Sequence, residues 1–148
     1  MQYTQEQLNS LLKLPSPVNL ANADLSGADL GGADLPGAFL IGADLSGATL
    51  TKANLSNALL WGARLIETNL SEANLSGAGL ERSDLRKANL SGAELKGVVL
   101  KGAKYDKKTK WPDDFDPAAD GAILTKDFGV LAKAGITLSW QVVPLRLY

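Results

Sequence analysis

From residue 20 to residue 100 the chain places leucine at every fifth position, 17 times in succession: Leu20, Leu25, Leu30 and onward to Leu100. Against a background leucine frequency of about one in ten, such a run is not chance. Two residues before each leucine stands a small residue, alanine in 13 of the 17 units, with Val18, Thr68, Ser83 and Val98 as the exceptions. The unit is Ala-x-Leu-x-x. A period of five matches neither the 3.6 of a helix nor the 2 of a strand, so neither element can keep all the leucines on one side. The backbone has to turn between leucines. Two residues after leucine the units carry Gly at ten places and Asn at Asn22 and Asn57. That is the third position of a type II turn beginning at leucine, where positive φ is required and Gly or Asn adopts it cheaply.

A chain that turns every five residues and always returns leucine and alanine inward closes into a coil and stacks on itself. Four corners would make a coil of 20 residues. The units ADLSG (23–27 and 43–47), ANLSN (53–57) and ANLSG (73–77 and 88–92) resemble the pentapeptide repeat family. The resemblance covers residues 18–105 and implies an all-β solenoid, a right-handed quadrilateral β-helix, whose handedness and four-sidedness the spacing alone does not prove. Seventeen units at four per coil predict about four coils, a stack only about 20 Å tall at the ~4.8 Å spacing of hydrogen-bonded strands. Its interior should be a solid leucine column. Thr68 and Ser83, in alanine slots, should turn their hydroxyls onto backbone carbonyls.

Both ends of such a stack expose backbone groups and a leucine layer, and each calls for a cap. Residues 1–17 read as a capping helix and linker. Thr4 and Gln7 form a capping-box signal, Leu8, Leu11 and Leu12 share a helical face over 4–14, and Pro15 and Pro17 stop the element. At the other end Tyr105 takes a leucine slot, and 106–122 read as a capping loop that folds Trp111 and Phe115 over the opening, a segment similar to those following the last coil in many family members. Residues 123–148 read as a non-repeat tail. A short helix starts near Thr125 and ends at Gly135, and Ile136, Leu138, Trp140 and Val142 then alternate with polar residues as in a strand with one apolar face.

With four units per coil, residues 20 apart stack in columns, so the outer faces can be read directly. On the face of Leu20, Leu40, Leu60, Leu80 and Leu100, the slot before leucine reads Asn19, Phe39, Leu59, Gly79, Val99, and the slot after it Ala21, Ile41, Trp61, Glu81, Lys101. Phe39, Ile41, Leu59 and Trp61 are therefore expected to form one apolar patch on adjacent coils, extended round the corner by Ile66. The other faces are polar in these slots. Exposed apolar clusters mark contact surfaces. The expected occupant is the protein itself, through Leu138 and Trp140 of the tail or through the N-terminal helix, or else a homodimer partner or another protein.

Composition narrows the functions. The 148 residues include no His and no Cys, which removes the usual imidazole base, thiol nucleophile, disulfides and His/Cys zinc sites. Fifteen basic and sixteen acidic side chains give a formal charge of −1, so no overall field is available to hold nucleic acid or an anionic membrane. Arg64, Arg82, Arg86 and Lys87 are too scattered among acidic residues for a nucleic-acid track. The cluster Asp113, Asp114, Asp116 and Asp120 lacks the spacing and glycine of an EF-hand and reads as a solvated loop. No catalytic, cofactor or metal site, and no small-molecule substrate, is expected. The N-terminal segment lacks a basic and apolar leader, and no run reaches membrane-span length, so the expectation is a soluble cytoplasmic protein. The function expected is a non-enzymatic interaction or regulatory module with an unknown protein partner. The alternative implied by the resemblance is a DNA mimic acting on a type II topoisomerase. Against that alternative, the acidic stretch carrying Asp24, Asp29, Asp34 and Asp44 spans under two coils.

Overall fold

The computed structural model describes residues 3–126. All 17 expected turns are present. After every leucine from Leu20 to Leu100, the N–H three residues on donates to the leucine carbonyl, as from Ala43 to Leu40 at 3.1 Å and from Ala63 to Leu60 at 3.0 Å. The third residue of each turn has positive φ whether or not it is glycine: Lys52, Glu67, Glu72, Arg82 and Lys87 adopt it at 56–60° alongside Asn22, Asn57 and the glycines. The 4→1 bond with positive φ at the third position defines a type II turn.

Successive coils pair in parallel every 20 residues. Bridges link Asn19 to Phe39, Phe39 to Leu59, Leu59 to Gly79 and Gly79 to Val99 on one face. The column from Asp24 to Lys104, the column from Asp29 to Asn89, and the column from Asp34 to Glu94 make three more. Four columns and four turns per 20 residues form a four-sided coil. Every leucine and every small residue of the repeat is turned inward, and leucines from Leu40 to Leu90 are wholly buried. Alanine lets the backbones of neighbouring units approach, so the bore is filled by leucine side chains. In the two hydroxyl-bearing slots Thr68 Oγ1 donates to the Leu45 carbonyl and Ser83 Oγ to the Leu80 carbonyl, each at 2.7 Å.

The slot before leucine follows a rule of its own. Asp or Asn there accepts, through Oδ1, the backbone N–H two residues on: Asp24 from Ser26, Asp44 from Ser46, Asn54 from Ser56, Asn69 from Ser71, Asn74 from Ser76 and Asn89 from Ser91, at 3.0–3.1 Å. This Asx turn satisfies a corner amide that the ladder leaves outward, and it explains why the repeat favours those two residues.

Helix α1 (Gln5–Leu11) closes the N-terminal end, with Thr4 as N-cap and a complete capping box to Gln7. It stops at Leu11, short of the expected residue 14, and the chain turns through Leu12–Leu14 before Pro15. Leu8 is buried against the first coil, while Leu11 and Leu12 pack partly buried beside it. Gln5 ties the helix to the first coil, donating from Nε2 to the Asp29 carbonyl at 2.7 Å and accepting the Asp29 N–H.

Past residue 105 the structure differs from the expected loop. The chain makes a further, irregular coil: one extra residue precedes Lys110, which pairs with Asn89 in place of residue 109, and the rest of the coil is shortened so that β1 (Lys104–Tyr105) pairs in parallel with β2 (Ile123–Leu124), 19 residues on. Ala122-Ile123-Leu124 is thus one more Ala-x-Leu unit, stacked on Ala103-Lys104-Tyr105, and 123–124 belong to the stack instead of to a separate tail. Asp106 organises the insertion. Its Oδ1 accepts the N–H groups of Lys87, Lys108 and Thr109 at 2.9–3.0 Å, and Thr109 Oγ1 in turn donates to the Leu85 carbonyl. The helix and strand expected over 125–135 and 136–142, including Leu138 and Trp140, lie from residue 127 onward outside the described residues.

Candidate interaction surface

After Asn19, which still accepts the Ala21 N–H at 3.1 Å, the face carrying Leu20 to Leu100 breaks the Asx rule. At Phe39, Leu59, Gly79 and Val99 no side chain can accept the corner amide, and three of the four side chains stand apolar and outward instead. Phe39 and Leu59 pair directly across the ladder: the Leu40 N–H donates to the Leu59 carbonyl at 2.8 Å and the Leu59 N–H to the Ala38 carbonyl at 2.9 Å. Side chains at paired positions of adjacent parallel strands project from the same surface about 4.8 Å apart. Ile41 and Trp61 follow one coil apart at the edge of this face, joined through the bond from the Gly42 N–H to the Trp61 carbonyl.

Phe39 is 37% exposed, Leu59 41%, Trp61 48% and Val99 44%; Ile41 is half-buried. The structure thus brings Phe39, Ile41, Leu59 and Trp61 onto one face of adjacent coils. Ile66, half-buried, sits on the next face, after Leu65. Val99, which sequence reasoning placed in the column but left out of the patch, extends the apolar line to the coil below the C-terminal end. Between Leu59 and Val99 the line is interrupted at Gly79, where the Glu81 carboxylate occupies the space a side chain would fill, 2.8 Å from an ideal Cβ. Arg82 lies with its guanidinium 5.8 Å from the Trp61 ring centre, a cation–π contact that covers one side of the indole. Trp61, Glu81, Arg82, Lys101 and Gly102 together line a shallow, open notch beside the strip.

The other faces carry polar and paired side chains. Lys52 and Glu72 (3.7 Å), Glu67 and Lys87 (2.8 Å), and Asp44 and Arg64 (3.8 Å) pair from coil to coil, and Asp84 holds Arg86 two residues away at 2.6 Å. Burial pushes the Asp84 carboxyl up, but the bonds from the Arg86 guanidinium and backbone N–H outweigh it and hold Asp84 below the ordinary carboxylate range. Asp106 behaves alike, burial raising it and the three backbone N–H donors with Thr109 lowering it further. The Glu67 carboxyl is lowered by its bond to Lys87. These carboxylates are thereby committed to structural partners. Among the described residues, no group of three acidic side chains is placed to share a metal ion, and no helix is long and apolar enough to cross a membrane.

At the C-terminal end Tyr105, Trp111 and Phe115 come together, partly buried against the leucine core. Tyr105 and Trp111 meet edge to face (5.6 Å, 87°), and Trp111 and Phe115 stack (5.4 Å, 25°). Beside them Ile123 and Leu124 are about half exposed on the final rung. This apolar edge escaped sequence reasoning, although the Ala-x-Leu at 122–124 was a usable signal.

The model of the family described as pentapeptide repeats matches residues 23–62 and 63–102, eight copies in all. The chain belongs to the pentapeptide repeat family. Proteins of this family form right-handed quadrilateral β-helices, in accord with the four columns described above. Among solved structures, this pentapeptide repeat protein is similar to Rfr23 from the cyanobacterium Cyanothece 51142, with 43% identity, a TM-score of 0.64 and 67% of each chain covered. It is similar to alr5209, a pentapeptide repeat protein from Nostoc Pcc 7120, with 37% identity, a TM-score of 0.50, and 72% of this chain and 84% of that one covered. It also resembles AT2G44920, from the Arabidopsis thaliana thylakoid lumen, with 34% identity and a TM-score of 0.57 over 59% of this chain and 60% of that one. No curated protein matches the sequence.

Proposed function

We propose that this pentapeptide repeat protein is a non-enzymatic interaction module. It is a right-handed solenoid peg of about four regular coils and one irregular coil, capped by α1 at one end and by Tyr105, Trp111 and Phe115 at the other, and it contacts a protein through the face of Phe39, Leu59 and Trp61. One observation carries this reading: on a solenoid whose other faces hold Asx turns and ion pairs, a single face exchanges those polar groups for outward Phe, Leu, Trp and Val. Apolar side chains stabilise nothing in the core from there, and their burial against a partner contributes about 25 cal/mol per Å². The partner is another protein or a second copy of the chain. Affinity capture with wild type against the Phe39→Asp/Trp61→Asp double variant tests the reading. Loss of the wild-type partners from the variant is expected, and equal recovery from both baits would sink it.

The alternative, mimicry of duplex DNA toward a type II topoisomerase, draws on Asp24, Asp29, Asp34 and Asp44 at the N-terminal coils. Three of the four cap turns, Asp24 with Ser26, Asp29 with Gly31 and Asp44 with Ser46, and Asp34 accepts from Asn54 Nδ2. Their repeat-building roles account for their presence without a topoisomerase.

A further inference from the structure

We propose that the apolar face docks a short acidic segment of another protein, whose apolar side chains cover Phe39, Leu59 and Trp61 and whose carboxylates pair with Arg82 and Lys101. This rests on the reading of that face as a contact surface and names the chemistry of its occupant.

Three observations converge. The first is how charge is distributed along the strip. On its first two apolar rungs the outward and corner slots hold Phe39, Ile41 and Gly42, then Leu59, Trp61 and Gly62, with no charge among them. The next two rungs bring Glu81, Arg82 and Lys101 into the same slots. Beyond the strip the sign is the same: residues 94–110, on the last regular coil and the irregular one, carry six lysines against Glu94 and Asp106, a net +4. Such a field persists over ~10 Å at about 0.1 M salt. The strip is neutral at one end and cationic at the other.

The second observation is that these two cations lack a counter-charge. Lys52, Arg64 and Lys87 pair from coil to coil and Asp84 holds Arg86, so Arg82 and Lys101 stand without a carboxylate among the described residues. Glu81 is drawn over Gly79 instead. Both cations are exposed. Arg82 lies 5.8 Å from the Trp61 ring centre, a contact that leaves its N–H fork open to a carboxylate. With Lys101 and Trp61 it lines the shallow notch beside the strip. A partner that covers the strip takes water from both cations, and only one bearing carboxylates compensates them.

The third observation excludes a second copy. In an antiparallel pair through this face the cationic end meets the other copy's first rung, Asn19, Ala21 and Asn22, and in a parallel pair it meets itself. Neither arrangement brings a new carboxylate to Arg82 and Lys101. Phe39, Leu59, Trp61 and Val99 are each less than half exposed, well short of the ~800 Å² that each partner buries in a stable dimer. A short segment needs less. The strip from Phe39 to Val99 spans three coil spacings, ~14 Å, which about four extended residues cover.

The test lets the protein choose its ligand. A displayed library of random short peptides is panned against the full chain and against Arg82→Glu/Lys101→Glu. Both substitutions install residues the solenoid already carries in equivalent slots: Glu72 holds the positive-φ turn position above Gly92 as Arg82 does above Gly102, and Glu81 precedes Lys101 in its column. Arg82→Gly/Lys101→Gln, which removes the cations and gives the turn its preferred glycine, is the second variant, and thermal melts check the fold of each. The wild type should enrich peptides that combine apolar residues with Asp or Glu, the second variant should lose the acidic preference, and the charge-reversed variant should shift it to Lys and Arg. A synthetic copy of the leading wild-type peptide should bind the wild type roughly tenfold more tightly than the charge-reversed variant, and Phe39→Asp/Trp61→Asp should not bind it. An apolar consensus without acidic preference, or one consensus shared by all three proteins, would overturn the acidic segment and leave the contact face standing. A wild-type dimer in sedimentation with no peptide enriched would give the face to a second copy, and a monomer with no peptide enriched would leave it without a segment to dock; both outcomes also overturn the proposal. None of these results depends on the capture experiment above.

Discussion

The turn residue following each leucine carries a cost that differs along the chain. Gly47 sits at φ 66° with nothing within 4 Å of where a Cβ would stand, so Gly47→Ala meets only the intrinsic left-handed penalty and should destabilise by about 1 kcal/mol in a denaturant melt. Lys52 holds φ 59° with a side chain attached. Its exposed pair with Glu72 contributes little, so Lys52→Gly should be neutral or stabilising by up to about 1 kcal/mol. A loss for Lys52→Gly comparable to that of Gly47→Ala would mean that the left-handed turn is not what sets these positions. In the interior, Leu60→Ala removes a wholly buried side chain from a column without slack and should cost about 2–5 kcal/mol. Most of this was legible in the sequence because a five-residue period states the direction of every side chain. The five turn positions occupied by Lys, Glu and Arg were legible only through the period, since none of those residues favours positive φ on its own.

At the level of elements, the regular coils follow from the repeat, whereas the final coil does not. Its leucine slots are filled by Tyr105 and Trp111, six residues apart, and an inserted residue destroys the spacing that would have revealed the pairing of Lys110 with Asn89. The carboxylate of Asp106 makes this insertion possible by accepting three backbone N–H groups, none of which the sequence alone assigns to it. Asp106→Ala leaves these donors without their acceptor and should cost about 1–3 kcal/mol while sparing the upstream coils, which proteolysis of the C-terminal end would detect. The titration has a definite sign. Asp84 and Asp106 have folded pKa values below the ordinary 3.8, so the stability they contribute is fully present above that value and is lost as pH falls through their lowered folded values. Stability of the wild type should fall as pH drops below about 4, and Asp106→Asn should flatten the fall. An unchanged pH profile for Asp106→Asn would remove Asp106 from the account. At the other end the shorter helix reflects the chain's need to turn at Leu12–Leu14 and enter the first coil, a tertiary demand that the helical pattern over 4–14 does not contain.

On the scale of the whole molecule, one face carries outward apolar side chains where the others carry polar ones. The patch was visible in sequence because columns are 20 residues apart; its continuation to Val99, the covering of Gly79 by Glu81 and the Arg82 guanidinium over Trp61 emerge only when side chains are in place. With Asp24, Asp29 and Asp44 engaged in turns and Asp34 in a bond to Asn54, no inhibition of gyrase supercoiling is expected at large molar excess, and inhibition would move the active surface from the apolar face to the aspartates. The Asx rule also supplies a sharper probe of the apolar face than a charge reversal. Phe39→Asn/Leu59→Asn installs the residue the repeat itself prefers, restoring two turn hydrogen bonds worth about 0.5–1.5 kcal/mol each while erasing the centre of the strip. Affinity capture with this variant, alongside its thermal melt, is the most direct test. The account predicts a protein that melts at or above the wild-type temperature yet loses the wild type's partners; a variant equally stable that captures the same partners in the same amount would contradict it.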